Sequence, residues 1–126
     1  MKTEVVTQNQ QSVAVLYSQE VLIHDVQSAL DLMMQVKYET GCRSIAINSG
    51  AFAKEFFVLS SCLAGEILQK FINYGMRLAI YGDFSGYTSK PLQAFIAESN
   101  RGRDVFFQPD AAHAVDMLTK SPRQMP

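Results

Sequence analysis

The chain has 126 residues, 48% hydrophobic and 18% charged, enough for one self-supporting core and too apolar for a disordered chain. Eleven Lys and Arg stand against twelve Asp and Glu, a net charge of −1, so no basic excess exists to hold a phosphate backbone and nucleic acid is not an expected partner. The start lacks an apolar leader, no apolar run nears the ~20 residues that span a bilayer, and the two cysteines read as reduced thiols; a cytoplasmic protein that meets no membrane is expected.

Two β-type runs come first, residues 4–8 and 12–17, broken by polar Asn9, Gln10 and Gln11, which points to a hairpin. From Asp25 the period changes. Val26, Ala29, Leu30, Met33 and Val36 form a helical stripe, with Asp25 placed to cap its first turn and Gly41 to end it. Ile45, Ala46 and Ile47 read as a short buried strand. In the next helix Leu63, Ala64, Ile67, Leu68, Phe71 and Ile72 share one face, opposite Glu66, Gln69, Lys70 and Asn73, and Gly75 closes it. Residues 76–81 (MRLAIY) are a further strand. Leu92, Phe95 and Ile96 mark a third helix, closed by Gly102; Val105, Phe106 and Phe107 mark a fifth strand. Ala111, Ala114, Val115 and Leu118 mark the last helix. The order ββαβαβαβα predicts a small α/β domain over residues 1–120, with a mostly parallel five-stranded sheet, and a loose tail over 121–126 (SPRQMP).

In such sheets sites gather where strands run into the following helices. Two segments qualify here, 48–60 and 82–89. Ser60 and Ser61 open the second helix, where a hydroxyl caps free N–H groups or, exposed at the positive end of the helix, accepts a phosphate that repels a docked partner. Cys62 reads as a small packing residue rather than a reactive thiol, and a disulfide to Cys42 is not expected, since the two flank a strand. The second segment, Gly82 to Lys90, is dense in hydroxyls and glycines. It reads as a turn and helix cap, or as an anion or nucleotide site with Asp83, Ser85, Tyr87, Thr88, Ser89 and Lys90 on its rim; it lacks the lysine spacing of a P-loop. Glu66 and Lys70 are spaced for an exposed ion pair on a helix face that, with Gln69, is free to meet a partner. His24 and His113 have no companions at metal-ligand spacing, and no acid, base and nucleophile align; neither a metal, a cofactor nor an enzyme activity is expected.

The strings AGEILQKF (64–71), LAIYGDF (78–84), YTSK (87–90) and FIAESNRG (95–102) resemble a bacterial family known as Domain of Unknown Function 4180, which carries no established activity. More distantly, the order of elements is similar to that of STAS domains, the anti-sigma factor antagonists and sulfate-transporter modules. In the antagonists a phosphorylatable serine opens the helix after the third strand within a pattern like Asp-Ser-Ser-Gly-Leu-Gly. Ser60-Ser61-Cys62-Leu63-Ala64-Gly65 occupies the matching place, which makes Ser61 the implied switch. The resemblance implies a non-catalytic regulatory module that docks a protein partner through the second helix and its rim. A ligand site on the 82–90 loop is the alternative, and pairing into a homodimer is in keeping with a domain of this size.

Overall fold

The computed structural model describes residues 1–120; the tail expected over 121–126 lies outside the described residues. A hairpin opens the fold. β1 (Lys2–Gln8) and β2 (Gln11–Tyr17) pair antiparallel in unbroken register from Lys2↔Tyr17 to Gln8↔Gln11. Only Asn9 and Gln10 form the turn, both with positive φ (54° and 65°), the twist that a two-residue hairpin loop requires.

The first helix, α1 (Val26–Thr40), begins at a capping box: the Asp25 carboxylate accepts from Ser28 N–H while the Ser28 hydroxyl accepts from Asp25 N–H. It ends at Gly41, left-handed at φ 73°, whose N–H donates to the Lys37 carbonyl. The strands β3 (Ser44–Asn48), β4 (Arg77–Tyr81) and β5 (Val105–Gln108) then add to β2 in parallel, giving the order β1-β2-β3-β4-β5. The remaining helices are α2 (Leu63–Asn73), α3 (Lys90–Asn100) and α4 (Ala111–Lys120).

This topology fixes the layers. Each crossover steps one strand onward in the same direction, and right-handed crossovers of that kind put α1, α2 and α3 on one face of the sheet. There Leu16, Ile45, Ile47, Leu78, Ile80 and Phe107 meet Met33, Ile67, Phe71 and Leu92 in one buried cluster. Alternate strand residues, Val13, Ala46, Ala79 and Phe106, point the other way and are covered by Ala114, Val115 and Leu118 of α4. The small side chains of Ala46 and Ala79 allow that single helix to lie close. Arg77, buried below it, donates to the carbonyls of Arg103 and Leu118 and ties the end of α4 to the sheet.

Three details depart from the sequence reading. Between β3 and α2 the chain makes three short 3₁₀ turns, at Ser49–Ala51, Lys54–Phe57 and Leu59–Ser61, and buries Phe52, Phe56 and Phe57 in a segment whose sequence marks only a connection from strand to helix. Ile72 sits a quarter-turn from the centre of the α2 stripe and is 46% exposed; the same geometry buries Leu32 of α1 ahead of Leu30. The third helix is capped at its end by Arg101, one residue before Gly102.

Candidate functional site

Because β3 and β4 are parallel neighbours, the segments that leave them share one rim. The contact is close: a Cβ on Gly82, just after β4, would collide with the Ser49 side chain, just after β3. Asn48, at the end of β3, is buried and closes the rim on its other side, accepting from Ser18 N–H at 2.9 Å and donating to the Ser18 carbonyl at 2.7 Å. Aromatic rings then join the two segments. Phe57 stacks on Tyr87 with centroids 5.0 Å apart, and Phe84 lies 6.3 Å from Phe57 and 5.6 Å from Phe107. Burial against these rings raises the Tyr87 phenol above its ordinary pKa. Over this layer lies an open cleft of about 540 Å³, lined by Phe57, Val58, Leu59, Ser60, Ser89 and Pro91.

The two segments singled out in the sequence therefore meet, Ser60 from one and Ser89 from the other. The hydroxyls differ in what they are free to do. Ser61 donates to the Glu55 carbonyl at 2.7 Å and accepts from Leu63 N–H at 3.2 Å, so it closes the turn that leads into α2. Ser60 is exposed, and its hydroxyl makes no hydrogen bond among the described residues. Ser89 caps α3 by accepting from Leu92 N–H, and Gln93 reaches back to the Tyr87 carbonyl. The Asp83 carboxylate accepts from Ser85 N–H in a tight turn, and the hydrogen bonds from Ser85 hold its pKa below the usual carboxylate range. The side chains of Ser85, Thr88 and Lys90 are exposed around this loop.

Cys62 is the clearest correction. Its residue type points to a packing position; instead it is exposed, with left-handed φ 66°, at the position that starts α2, and its side chain caps nothing. The chain must reverse sharply between the last 3₁₀ turn and the helix, and that reversal turns the thiol outward. Cys42 is buried, and both thiols are free. On α2, Glu66 and Gln69 are exposed and Lys70 is half-buried. The expected Glu66–Lys70 ion pair does not form: among the described residues the ion pairs are His24–Asp25, Glu98–Arg101 and Asp110–His113. Gln69 instead bonds Asn73.

A second cleft, of about 580 Å³, was missed by the sequence reading. It lies on the α4 side of the sheet and is lined by Lys2, Glu4, Val15, Tyr17 and Tyr81 among others. Tyr81 reaches across β3 to donate to the Leu16 carbonyl at 2.8 Å, and burial, then the nearby Tyr17, push its phenol pKa up. Strand alternation would have placed Tyr17 and Tyr81 on one face; that the corner beside them stays open has no sequence signal.

Among the described residues no three His, Cys, Asp or Glu side chains gather to hold a metal ion, and no helix is long and apolar enough to cross a membrane. No curated protein and no solved structure matches the chain. One family model does, over residues 8–118, and this span runs from the end of β1 to the last turn of α4. The chain belongs to the family described as Domain of unknown function (DUF4180).

Proposed function

We propose that this domain is a non-catalytic regulatory module of the cytoplasm, STAS-like in design, which docks a protein partner over the rim cleft and the exposed side of α2 and is switched by phosphorylation of its serine pair. The observation that carries this reading is the meeting of Ser60 with an apolar groove made by Phe57, Val58, Leu59 and Pro91. Val58 is 51% exposed there, an apolar surface suited to being covered. A phosphate adds about −1.5 to −2 charges, so on Ser60 it would turn an apolar contact into one that rejects an apolar partner. Ser60 is the better acceptor of the pair, because phosphorylation of Ser61 must first break its bonds to Glu55 and Leu63. Glu66 and Gln69 extend the same surface along α2. An anion site on the 82–90 loop is less well supported, since Asp83 and Ser89 spend their side chains on the loop itself.

The test pairs phosphosite mass spectrometry of the protein from its native cells with pull-downs by the wild type, Ser60→Ala and Ser60→Asp. The reading expects phosphoserine at 60 or 61, and a partner that the wild type and Ser60→Ala retain while Ser60→Asp loses it. Identical partner sets for all three, together with no phosphoserine, would overturn it.

A further inference from the structure

The two edges of the sheet are treated differently. β5 is short, four residues, and its outward Phe107 N–H is taken by the Asn100 side chain at 2.7 Å. β1 is seven residues long, has no proline, and pairs without a bulge. Among the described residues nothing bonds its outer backbone. Natural proteins guard long flat edges of this kind because they are templates for another strand.

The parity of that edge follows from the turn. Residues flanking a two-residue hairpin loop form a hydrogen-bonded pair, so Gln8, Val6, Glu4 and Lys2 direct their N–H and C=O groups at β2. Thr3, Val5 and Thr7 direct theirs outward. Val5 is 49% exposed, and Lys2 and Glu4 lie on the same face, opposite Tyr17 and Val15 in the register.

We propose that β1 pairs with β1 of a second copy, antiparallel about a two-fold axis at Thr3, joining two sheets into one of ten strands. Self-pairing leaves few registers, and charge selects among them. An axis at Glu4 sets Glu4 against Glu4 of the other copy. An axis at Val5 leaves both charges without opposite partners. The axis at Thr3 places Lys2 directly opposite Glu4 of the other copy, twice by symmetry. Those pairs fall at the non-hydrogen-bonded positions, where side chains approach most closely. Thr3 exchanges both backbone bonds with its own copy, and Met1 meets Val5. The surface is isologous, so it closes at a dimer and builds no filament. This assignment is independent of the rim and its serines.

Sedimentation equilibrium of the full chain tests it with four variants. The wild type is expected to dimerise, more weakly as salt screens the charges. Lys2→Glu and Glu4→Lys each set like charges opposite and are expected to weaken dimerisation by roughly tenfold. The double variant Lys2→Glu/Glu4→Lys restores opposite pairing and is expected to recover it. Thr3→Pro removes an N–H that faces away from β2, so it is expected to abolish the dimer while leaving the melting temperature of the monomer nearly unchanged. A monomeric wild type, a dimer indifferent to both single charge reversals, or a double variant no better than the singles would each overturn the proposal.

Discussion

Gly82 is confined both by a neighbour and by its own backbone, whose φ of 159° lies where residues with side chains are rarely found. A methyl group there would collide with Ser49 Oγ and stand 3.1 Å from Ser49 Cβ, so either the Ser49 side chain or the crossing of the two strand ends must shift. Gly82→Ala is therefore expected to destabilise the domain by about 1–3 kcal/mol, as overpacking of a close contact does. Removing the obstacle separates this cause from a general loss of glycine freedom. In urea denaturation the double variant Gly82→Ala/Ser49→Gly should recover the steric part of the loss that Gly82→Ala suffers, measured against Ser49→Gly alone, and keep the part that comes from the backbone. Equal costs of Gly82→Ala in both backgrounds would refute the steric account. In the sequence Gly82 marks only the end of a strand, because Ser49 is distant along the chain and becomes a neighbour only through β3–β4 pairing. Asp25 and Gly41 are different: the partners that explain them, Ser28 and Lys37, lie within one turn, so their roles could be read directly. Cys62 shows the converse, since a left-handed residue other than glycine or asparagine carries no local signal.

At the scale of elements, the helices were legible from apolar residues at helical spacing, and β3, β4 and β5 from short apolar runs between polar breaks. β1, exposed along most of its length, was legible only from its β-type composition, and the rim was legible only in outline. The stripe of α2 predicts Leu63, Ala64, Ile67, Leu68, Phe71 and Ile72 as core; Ala64, Ile67, Leu68 and Phe71 are buried, Leu63 is half-buried and Ile72 is exposed. The segment between β3 and α2 has no period, since three 3₁₀ turns each place their side chains independently. Its Phe52, Phe56 and Phe57 looked like loop residues but form the layer on which Phe84 and Tyr87 rest. Phe57 is the junction, in contact with rings from both sides of the rim and only 7% exposed. Phe57→Ala should cost about 3–5 kcal/mol, while Phe57→Leu, which keeps most of the apolar volume, should cost much less. The cavity also frees Tyr87. Its phenol, raised by burial, should fall back towards the ordinary tyrosine value in Phe57→Ala, as a spectroscopic pH titration would show. A variant that loses stability but leaves the Tyr87 titration in place would show that the two segments are held together by something other than this stack.

Across the whole molecule, three chain reversals share one device, which the start of α2 at Cys62 lacks. Asp25 before α1 and Asp110 before α4 accept N–H bonds from Ser28 and His113, and Asp83 accepts from Ser85 in the loop that leads to α3. Ser28's backbone N–H lowers the Asp25 carboxyl pKa most, Ser85's hydrogen bonds lower that of Asp83, and His113's backbone N–H lowers that of Asp110. A carboxyl whose pKa is depressed in the folded state binds its proton more readily when unfolded, so stability rises with pH across that interval. The contribution is complete above the ordinary carboxylate range, declines as pH falls through that range and is gone below the folded values. The melting temperature should therefore be steady between about pH 5 and 7 and decline below about pH 4. The sequence-distant elements make this a property of the molecule: three exposed carboxylates, each trivial alone, act at three separate reversals of one cooperative domain. The variant Asp25→Ala/Asp83→Ala/Asp110→Ala should melt lower than the wild type at pH 7, lose less on acidification and approach the wild-type curve as the three carboxylates become protonated. If the two curves run parallel through the acid range, the three aspartates contribute no linkage and the acid lability of the fold lies in other groups.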